Sequence, residues 1–355
     1  MANIGLAARL LFARQKANLT QPQAVASAKL EVGVSSLSDW ENGNRDPSVL
    51  QLSKLAELYN RPFDWFLADS EPLEHPIRWR QRPESPQQIE SKFRLLATYY
   101  HELELLCDSK APLKLPEPVS VRTRRAAELL ADRVRNDLQL GPRPARTLRS
   151  RLEEAYGIKL FCLDFEPAGT AATLCERDGV GVAVLLNQKN SPRRLVFDLA
   201  HELYHVVSTV ADVEQDEKFA DAFAAQLLMP TDEFLREIDG RSVIDDKISH
   251  GAFLEVVREF GVSIDAAVWQ LHKLRHRPRD RVPELIKQLR LEWQDEPNQK
   301  LYPSRLPERY VTLAKQALRN GDISTGYYAK CLDIPRHKAM AEQNELLESL
   351  GEELI

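Results

Sequence analysis

The stretch HELYH places two histidines, His201 and His205, four positions apart with a glutamate directly after the first. In an α-helix, residues at this spacing lie one above the other on one face, so both imidazole rings can reach one point. Most neighbouring residues are apolar, which predicts a helix packed in a core: Leu195, Leu199, Ala200, Leu203, Val206 and Val207. Ionisable residues in a core cost free energy unless they are paired or bind a metal. The pattern therefore favours a metal site over an ordinary helix that carries two histidines by chance.

The five-residue pattern HExxH is typical of zinc metalloproteases. We predict that His201 and His205 supply two nitrogen ligands to one Zn²⁺ per chain. Glu202 lies about 100° around the helix from His201, which places it beside the metal and not on it. From there it can take a proton from the attacking water, so we predict Glu202 as the catalytic general base.

A third ligand is expected on the following helix, EKFADAFAAQLLMP (217–230). Glu217 and Asp221 share one face of this otherwise apolar helix. Glu217 can complete a His₂Glu site that leaves one position for water, and Asp221 can accept the free N–H of a ligating histidine. The alternative is a solvated acidic helix start, stabilised by the helix dipole. Glu214 and Asp216, which precede the apolar run, fit that alternative better.

Together, HELYH, the helix 217–230 and the preceding LLNQKNSPRRLVFDLAHE (185–202) resemble the ImmA/IrrE family of bacterial metallopeptidases. The resemblance implies a gluzincin-like fold, with Glu217 and Asp221 matching the helix that carries the third ligand. It also implies an endopeptidase, because several family members cleave transcriptional repressors of the XRE type. One departure is Tyr204, which stands where a small residue is frequent, so its ring is expected to crowd or line the site.

Three β-branched, apolar segments separated by turn residues predict a small three-stranded sheet: 157–165, 169–177 and 179–187. We interpret the last strand as the sheet edge along which an extended peptide substrate lies by strand addition. The predicted contact positions on that strand are Gly179, Val180, Val182 and Val184.

The N-terminal segment 17–67 resembles the XRE helix-turn-helix family, through Leu19-Thr20-Gln21, the SxxSxWExG pattern from Ser35 to Gly43, Pro47-Ser48 and KLAELY (54–59). The resemblance implies five short helices, the third of which, about Gly33–Asn42, enters the major groove of DNA. Phosphate contacts are then expected from Gln21 and Asn42. Base contacts are expected from Val34, Ser35, Ser38 and Asp39.

The predicted recognition helix contains no Arg or Lys but does contain Asp39, and the first 70 residues are close to neutral. Phosphate attraction supplies much of the affinity for DNA, and direct base readout favours Arg, Asn or Gln. Weak or homodimer-dependent DNA binding, docking of a protein partner, and a helical module without a DNA function therefore all remain open for this domain.

Composition bounds the remaining possibilities. The 355 residues allow two or three domains. No apolar run reaches about 18 residues, so no membrane helix is expected. The four cysteines are far apart without a CxxC pair, which argues against a disulfide framework or a Cys-rich zinc ribbon and favours the cytoplasm.

The predicted fold is multidomain and mainly α. An all-α five-helix domain (1–70) is followed by a linker and helix (71–120). The segment 70–84 is rich in proline and charge, and we interpret it as the linker. An α+β gluzincin-like peptidase with a small three-stranded sheet (121–235) comes next. A helix-turn-helix-like helical unit (236–280), with a helix pair around FGVS, and a helical C-terminal region (281–355) complete the chain.

The expected function is a zinc endopeptidase and transcriptional regulator that cleaves a protein partner, an XRE-type repressor or antitoxin-like regulator, in a stress response. The alternative is a non-proteolytic DNA-binding regulator or antitoxin that uses the peptidase fold for sensing or docking. Glu202 argues against the alternative, because a site kept only for structure needs no general base.

Overall fold

The computed structural model describes residues 4–67, 76–84, 86–109, 115–167, 170–176, 180–209, 213–241, 248–275, 279–293 and 305–352. The chain forms two compact units. The first contains Met1–Ile77, Arg82–Asp108 and Leu313–Ile355, and the second contains Arg78–Gln81 and Ser109–Thr312. No helix among the described ranges is long and apolar enough to cross a membrane.

Helices dominate both units, as predicted. In chain order they are α1 (Ile4–Lys16), α2 (Gln21–Ser27), α3 (Val34–Glu41), α4 (Val49–Leu58), α5 (Gln87–Leu106), α6 (Arg124–Asp137), α7 (Leu148–Tyr156), α8 (Pro192–Val207), α9 (Val213–Leu228), α10 (Thr231–Gly240), α11 (His250–Phe260), α12 (Ile264–Leu274), α13 (Val282–Glu292), α14 (Glu308–Asn320), α15 (Thr325–Leu332) and α16 (Arg336–Glu352). Short 3₁₀ turns occur at Asp64–Leu67, Pro144–Arg146 and Arg279–Arg281. The helix pair expected around FGVS is present as α11 and α12, separated by Gly261 in the left-handed conformation.

The first four helices and the 3₁₀ turn Asp64–Leu67 form the predicted helix-turn-helix arrangement, so the expected fifth helix is a short 3₁₀ segment. Thr20 caps the start of α2 with a capping box, in which its hydroxyl accepts from the Gln23 N–H and the Gln23 side chain accepts from the Thr20 N–H. The core of this domain contains Leu10, Leu37, Trp40, Leu55 and Phe66, among others. Arg14 on α1 and Glu41 on α3 form an ion pair through two hydrogen bonds, with N–O distances of 2.6 and 2.8 Å.

The sheet of the second unit contains four strands, in the order β1 (Arg78–Trp79), β4 (Ala171–Glu176), β5 (Gly181–Asn187) and β3 (Lys159–Leu163). The strand β5 pairs antiparallel with β4 and parallel with β3, and β1 pairs antiparallel with β4. A second, two-stranded parallel pair joins β2 (Val119–Ser120) to β6 (Ser208–Thr209). The three predicted strands are therefore confirmed, and β1 is an addition.

Two predictions about the sheet are wrong. The first is that the last predicted strand forms the sheet edge along which a substrate lies. This strand, β5, contains Val182 and Val184 but lies between β3 and β4, so it has no open edge. Val180 precedes this strand in a turn, and Gly179 lies outside the described residues. The second is that 70–84 is a linker. Arg78 and Trp79, which lie within this segment, form an edge strand of the sheet.

The helix α8 packs against one face of this sheet and against α9, in one hydrophobic core. The sheet contributes Ala171, Val182, Val184 and Leu186 to this core, and the two helices contribute Leu199, Leu203, Ala220, Phe223 and Leu227. The predicted histidine helix is thus a core helix, as its apolar neighbours indicated. This packing brings the polar face of α8 next to the start of α9.

Candidate metal centre

His201 and His205 project from α8 toward the same point, with ring centroids 5.1 Å apart. The helix begins at the N-cap Ser191, whose hydroxyl accepts from the Arg194 N–H, and Pro192 follows in the first turn. His201 is fully buried, and the side chain of His205 is 2% exposed. The i, i+4 spacing therefore places both rings on the inward side of the helix, as predicted.

Glu217 on α9 completes a three-residue cluster. Its Oε2 lies 3.1 Å from Nε2 of His201, and its Oε1 lies 3.5 Å from Nε2 of His205. One ligand atom from each of the three residues lies within 4.8 Å of the others. Tetrahedral ligands about 2.0–2.1 Å from a zinc ion are separated by roughly 3.3 Å, so the cluster is close to the size that the ion requires.

The chemistry of the buried atoms also fits a metal. Nε2 of His205 is buried and makes no hydrogen bond within the described part of the chain. A buried ring nitrogen without a hydrogen bond is costly, and a metal at Nε2 removes that cost. The Glu217 side chain is 43% exposed, so the cluster is open on the α9 side, where a substrate could approach.

Each histidine also faces an aspartate through its other nitrogen. Oδ1 of Asp221 lies 2.9 Å from Nδ1 of His201, the contact predicted from the sequence. Oδ2 of Asp216 lies 3.3 Å from Nδ1 of His205. Asp216 is 2% exposed, so its interpretation as a solvated residue at the helix start was wrong. Carboxylates in these positions fix the tautomer and orientation of ligating histidines.

The charges within the cluster stabilise one another. Burial opposes the ionised forms, but hydrogen bonds between His201 and the carboxylates hold the pKa values of Glu217 and Asp221 below their usual range. The same bonds outweigh burial at His201 and raise the pKa of its imidazolium. These carboxylates are therefore ionised at neutral pH, as metal binding requires.

Glu202 is fully buried on α8 beside His201. Its Oε2 accepts a hydrogen bond of 2.6 Å from the hydroxyl of Thr173 on β4, and its Oε1 has no hydrogen-bond partner among the described atoms. One carboxylate oxygen is thus fixed, while the other is free to accept a proton. Thr173 was not predicted, because only the register of β4 places it opposite the helix.

Tyr204, the departure from the family pattern, contacts one of the two histidines. Its side chain is fully buried, and its ring packs edge-on to His205 and against Phe223, with centroids 5.3 and 5.7 Å away. The residue therefore fills the core behind the second histidine.

Further charged residues that the sequence did not indicate surround the cluster. Asp198, one turn before His201, is 0% exposed and accepts from Asn190 Nδ2 at 2.7 Å. Burial raises the pKa of Asp198, and ion pairs with Arg80 and Arg194 offset part of that rise. Arg78 of β1 and Arg80, which follows this strand, reach the site from the segment that was expected to be a linker.

The predicted DNA-binding residues lie on and beside α3. Val34, Ser35 and Asn42 are exposed, whereas Ser38 and Asp39 are half-buried. The amide of Gln21 donates a 2.9 Å hydrogen bond to Glu41, so this predicted phosphate contact also has a partner inside the domain.

The structure adds Arg45, whose guanidinium donates to the hydroxyl of Ser36 on α3 at 3.1 Å. Arg45 thereby places a positive charge beside α3, which contains no Arg or Lys of its own. In the sequence, Arg45 lies in the turn NGNRDP that follows the helix.

Comparison with known proteins identifies two regions of the chain. Residues 153–272 match the family model of the IrrE N-terminal-like domain (Peptidase_M78), and residues 10–66 match the helix-turn-helix family. The HTH-type transcriptional regulator ImmR of Bacillus subtilis (strain 168) is 43% identical over 68 residues, which cover 19% of this chain and 52% of ImmR. The chain thus spans about half the length of this curated relative. Both resemblances inferred from the sequence are confirmed: the chain combines a helix-turn-helix domain with an IrrE-like peptidase-family domain.

Proposed function

We propose that this protein is a zinc-dependent endopeptidase and a DNA-binding transcriptional regulator in one chain. The observation that carries the peptidase proposal is the convergence of His201, His205 and Glu217, whose ligand atoms lie within 4.8 Å of one another. The adjacent Glu202 supplies a carboxylate oxygen without a hydrogen-bond partner among the described atoms. The two family matches support both halves of the proposal.

In the proposed mechanism, His201, His205 and Glu217 would hold one Zn²⁺, which would supply the Lewis acidity that polarises a scissile carbonyl and acidifies a water molecule. Glu202 takes a proton from the attacking water and returns it to the leaving amine nitrogen. Thr173 holds the second oxygen of Glu202, so the base keeps one orientation during both transfers. Asp221 and Asp216 keep Nδ1 of each histidine protonated, which leaves Nε2 as the ligand atom.

The proposed substrate is a protein partner, a helix-turn-helix repressor or antitoxin-like regulator, and cleavage would act in a stress response. The relative's name, transcriptional regulator, and the helix-turn-helix domain support a role at a promoter. A domain that binds operator DNA could bring the peptidase close to a repressor bound at the same site.

The test is cleavage of purified helix-turn-helix repressors from the same genome by the zinc-loaded chain. Electrophoresis and mass spectrometry would identify the cleaved bond, and Glu202→Gln serves as the matched control. We expect cleavage of at least one repressor by the wild type and none by Glu202→Gln. A wild type that binds zinc but cleaves no repressor would favour the alternative, a non-proteolytic regulator that uses the peptidase fold for docking.

A further inference from the structure

The strand β1 and the residue that follows it place two arginines beside the candidate metal centre. Arg78 pairs with the buried Asp216, and its Nη2 lies 3.6 Å from Oε1 of Glu217. Arg80 bridges two aspartates, with distances of 2.7 Å to Oδ1 of Asp198 and 3.0 Å to Oδ1 of Asp221. The two arginines therefore contact the carboxylates that face the histidines as well as one candidate ligand.

The number of acidic groups explains why cations are needed there. Five carboxylates crowd this region: Asp198, Glu202, Asp216, Glu217 and Asp221. Asp198 and Asp216 are almost completely buried. A buried carboxylate without a compensating charge or hydrogen bond costs several kcal/mol in typical proteins, on the order of the cost of breaking a buried ion pair. Without cations, these side chains would turn away from one another.

We propose that Arg78 and Arg80 are positioning residues of the metal centre, which each hold the aspartate that orients one ligating histidine. Arg78 holds Asp216 toward His205, and Arg80 holds Asp221 toward His201. The proposal deepens and rests on the proposed function, because positioning has a consequence only if the histidines bind a metal. Arginine suits this role, because its planar group can contact two carboxylates at once.

These arginines lie far in sequence from the residues that they hold. They lie about 75 positions before residue 153, where the match to the peptidase family begins. The segment Arg78–Gln81 belongs to the second unit, whereas the residues before and after it in sequence belong to the first. The metal centre therefore depends on a segment outside the peptidase family domain.

Backbone pairing fixes the arginines in place. Arg78 pairs with Thr173 and Trp79 with Ala172 across β1 and β4, and the Arg80 N–H donates to the carbonyl of Ala171 at 3.1 Å. In an antiparallel pair, side chains alternate between the two faces, so Arg78 and Arg80 share the face of Thr173, which holds Glu202. Trp79 points to the other face and packs edge-on to Phe165, with centroids 5.8 Å apart.

The experiment compares full-length wild type with Arg78→Gln, Arg80→Gln and the control Arg82→Gln. Arg82 lies two positions beyond Arg80, is exposed and pairs with Glu90 instead of the site. Zinc affinity would be measured by competition with a chromophoric chelator, and ligand geometry by the absorption spectrum of the Co²⁺-substituted protein. We expect each site variant to bind zinc about tenfold more weakly and to show an altered Co²⁺ spectrum, with Arg82→Gln unchanged.

Charge-retaining variants keep the test valid if a glutamine variant fails to fold. Arg78→Lys and Arg80→Lys are expected to bind zinc more tightly than the glutamine variants, because a cation still faces each aspartate. Wild-type zinc affinity and a wild-type Co²⁺ spectrum in both folded glutamine variants would overturn the proposal, and so would tighter zinc binding. If the wild type itself binds no zinc, the proposed function fails together with it, which distinguishes the two failures.

Discussion

The candidate metal centre and the recognition helix α3 are both polar regions of a mainly helical chain, but they are built in opposite ways. At the metal centre, side chains that are largely buried converge from α8, α9, β1 and β4, and nearly every charge has a partner of opposite sign. On α3, short polar side chains lie at or near the surface, and Arg45 from the following turn contacts Ser36 on this helix. The charges of the metal centre are therefore paired within the protein, whereas the polar side chains of α3 are left to contact a binding partner.

This difference predicts how strongly each function responds to single substitutions. A site made of buried, mutually dependent charges should respond strongly to single substitutions, because each change leaves another group uncompensated. On an exposed surface that attracts phosphate through a few cations, a single substitution should lower DNA affinity only modestly. The size of the loss should depend on the salt concentration. The predictions below test this contrast from the largest expected effect to the smallest.

Replacing the general base should cause the largest loss. Glu202→Gln keeps the size and the hydrogen bond to Thr173 but cannot accept a proton, so we expect peptidase activity to fall by at least about 100-fold. Zinc content should stay at the wild-type value, because Glu202 is not a ligand. Single-turnover cleavage assays with zinc analysis on the same samples would check this. Retained activity would remove Glu202 from the mechanism.

Replacing the aspartates behind the histidines should weaken metal binding by a smaller factor. Asp216→Asn and Asp221→Asn each lose a carboxylate that faces Nδ1, so we expect zinc affinity to fall about 10- to 100-fold. The larger effect is expected at Asp216, which is buried, whereas the Asp221 side chain is 53% exposed. Competition with a chelator measures both. Asp232→Asn, at an exposed position in the first turn of α10, is the control.

A change on the recognition surface should have a modest and salt-dependent effect. Arg45→Gln removes the cation beside α3, so we expect weaker binding of duplex DNA and a slope of log affinity against log salt that is smaller by about one. Fluorescence anisotropy across a salt series would measure the slope. Arg319→Gln, exposed on α14, should leave it unchanged. Identical slopes for Arg45→Gln and the wild type would exclude Arg45 from the DNA contact.

Removing the metal should leave DNA binding unaffected. The core of the helix-turn-helix domain extends from Leu6 to Phe66 and shares no residue with the core that surrounds α8 and α9. We therefore expect chelator-treated protein to bind DNA with wild-type affinity while peptidase activity is lost. A large change in DNA affinity after chelation would show that the two functions are coupled.

Local patterns in the sequence predicted the parts of the site that lie on one helix or on its neighbour. His201, Glu202 and His205 follow from the periodicity of α8, and Glu217 and Asp221 follow from the same periodicity one helix later. The resemblance to known peptidases reinforced both. These groups could be predicted because a helix fixes which side chains share a face.

Contacts that depend on strand pairing could not be predicted in this way. Arg78 and Asp216 are 138 positions apart, and Arg80 and Asp198 are 118 positions apart. A strand of two residues among prolines and charges has no periodic signal. The misplaced substrate edge has a different cause, because the unbroken apolar run of β5 is typical of a strand buried on both faces and should have favoured a central position.

The central claim is that His201, His205 and Glu217 hold a metal ion. The most direct measurement is elemental mass spectrometry of the full-length chain, purified under reducing conditions, as wild type, His201→Ala and Glu217→Ala. We predict about one zinc ion per wild-type chain and almost none in either variant. A wild type without metal, or variants that keep their zinc, would contradict the claim.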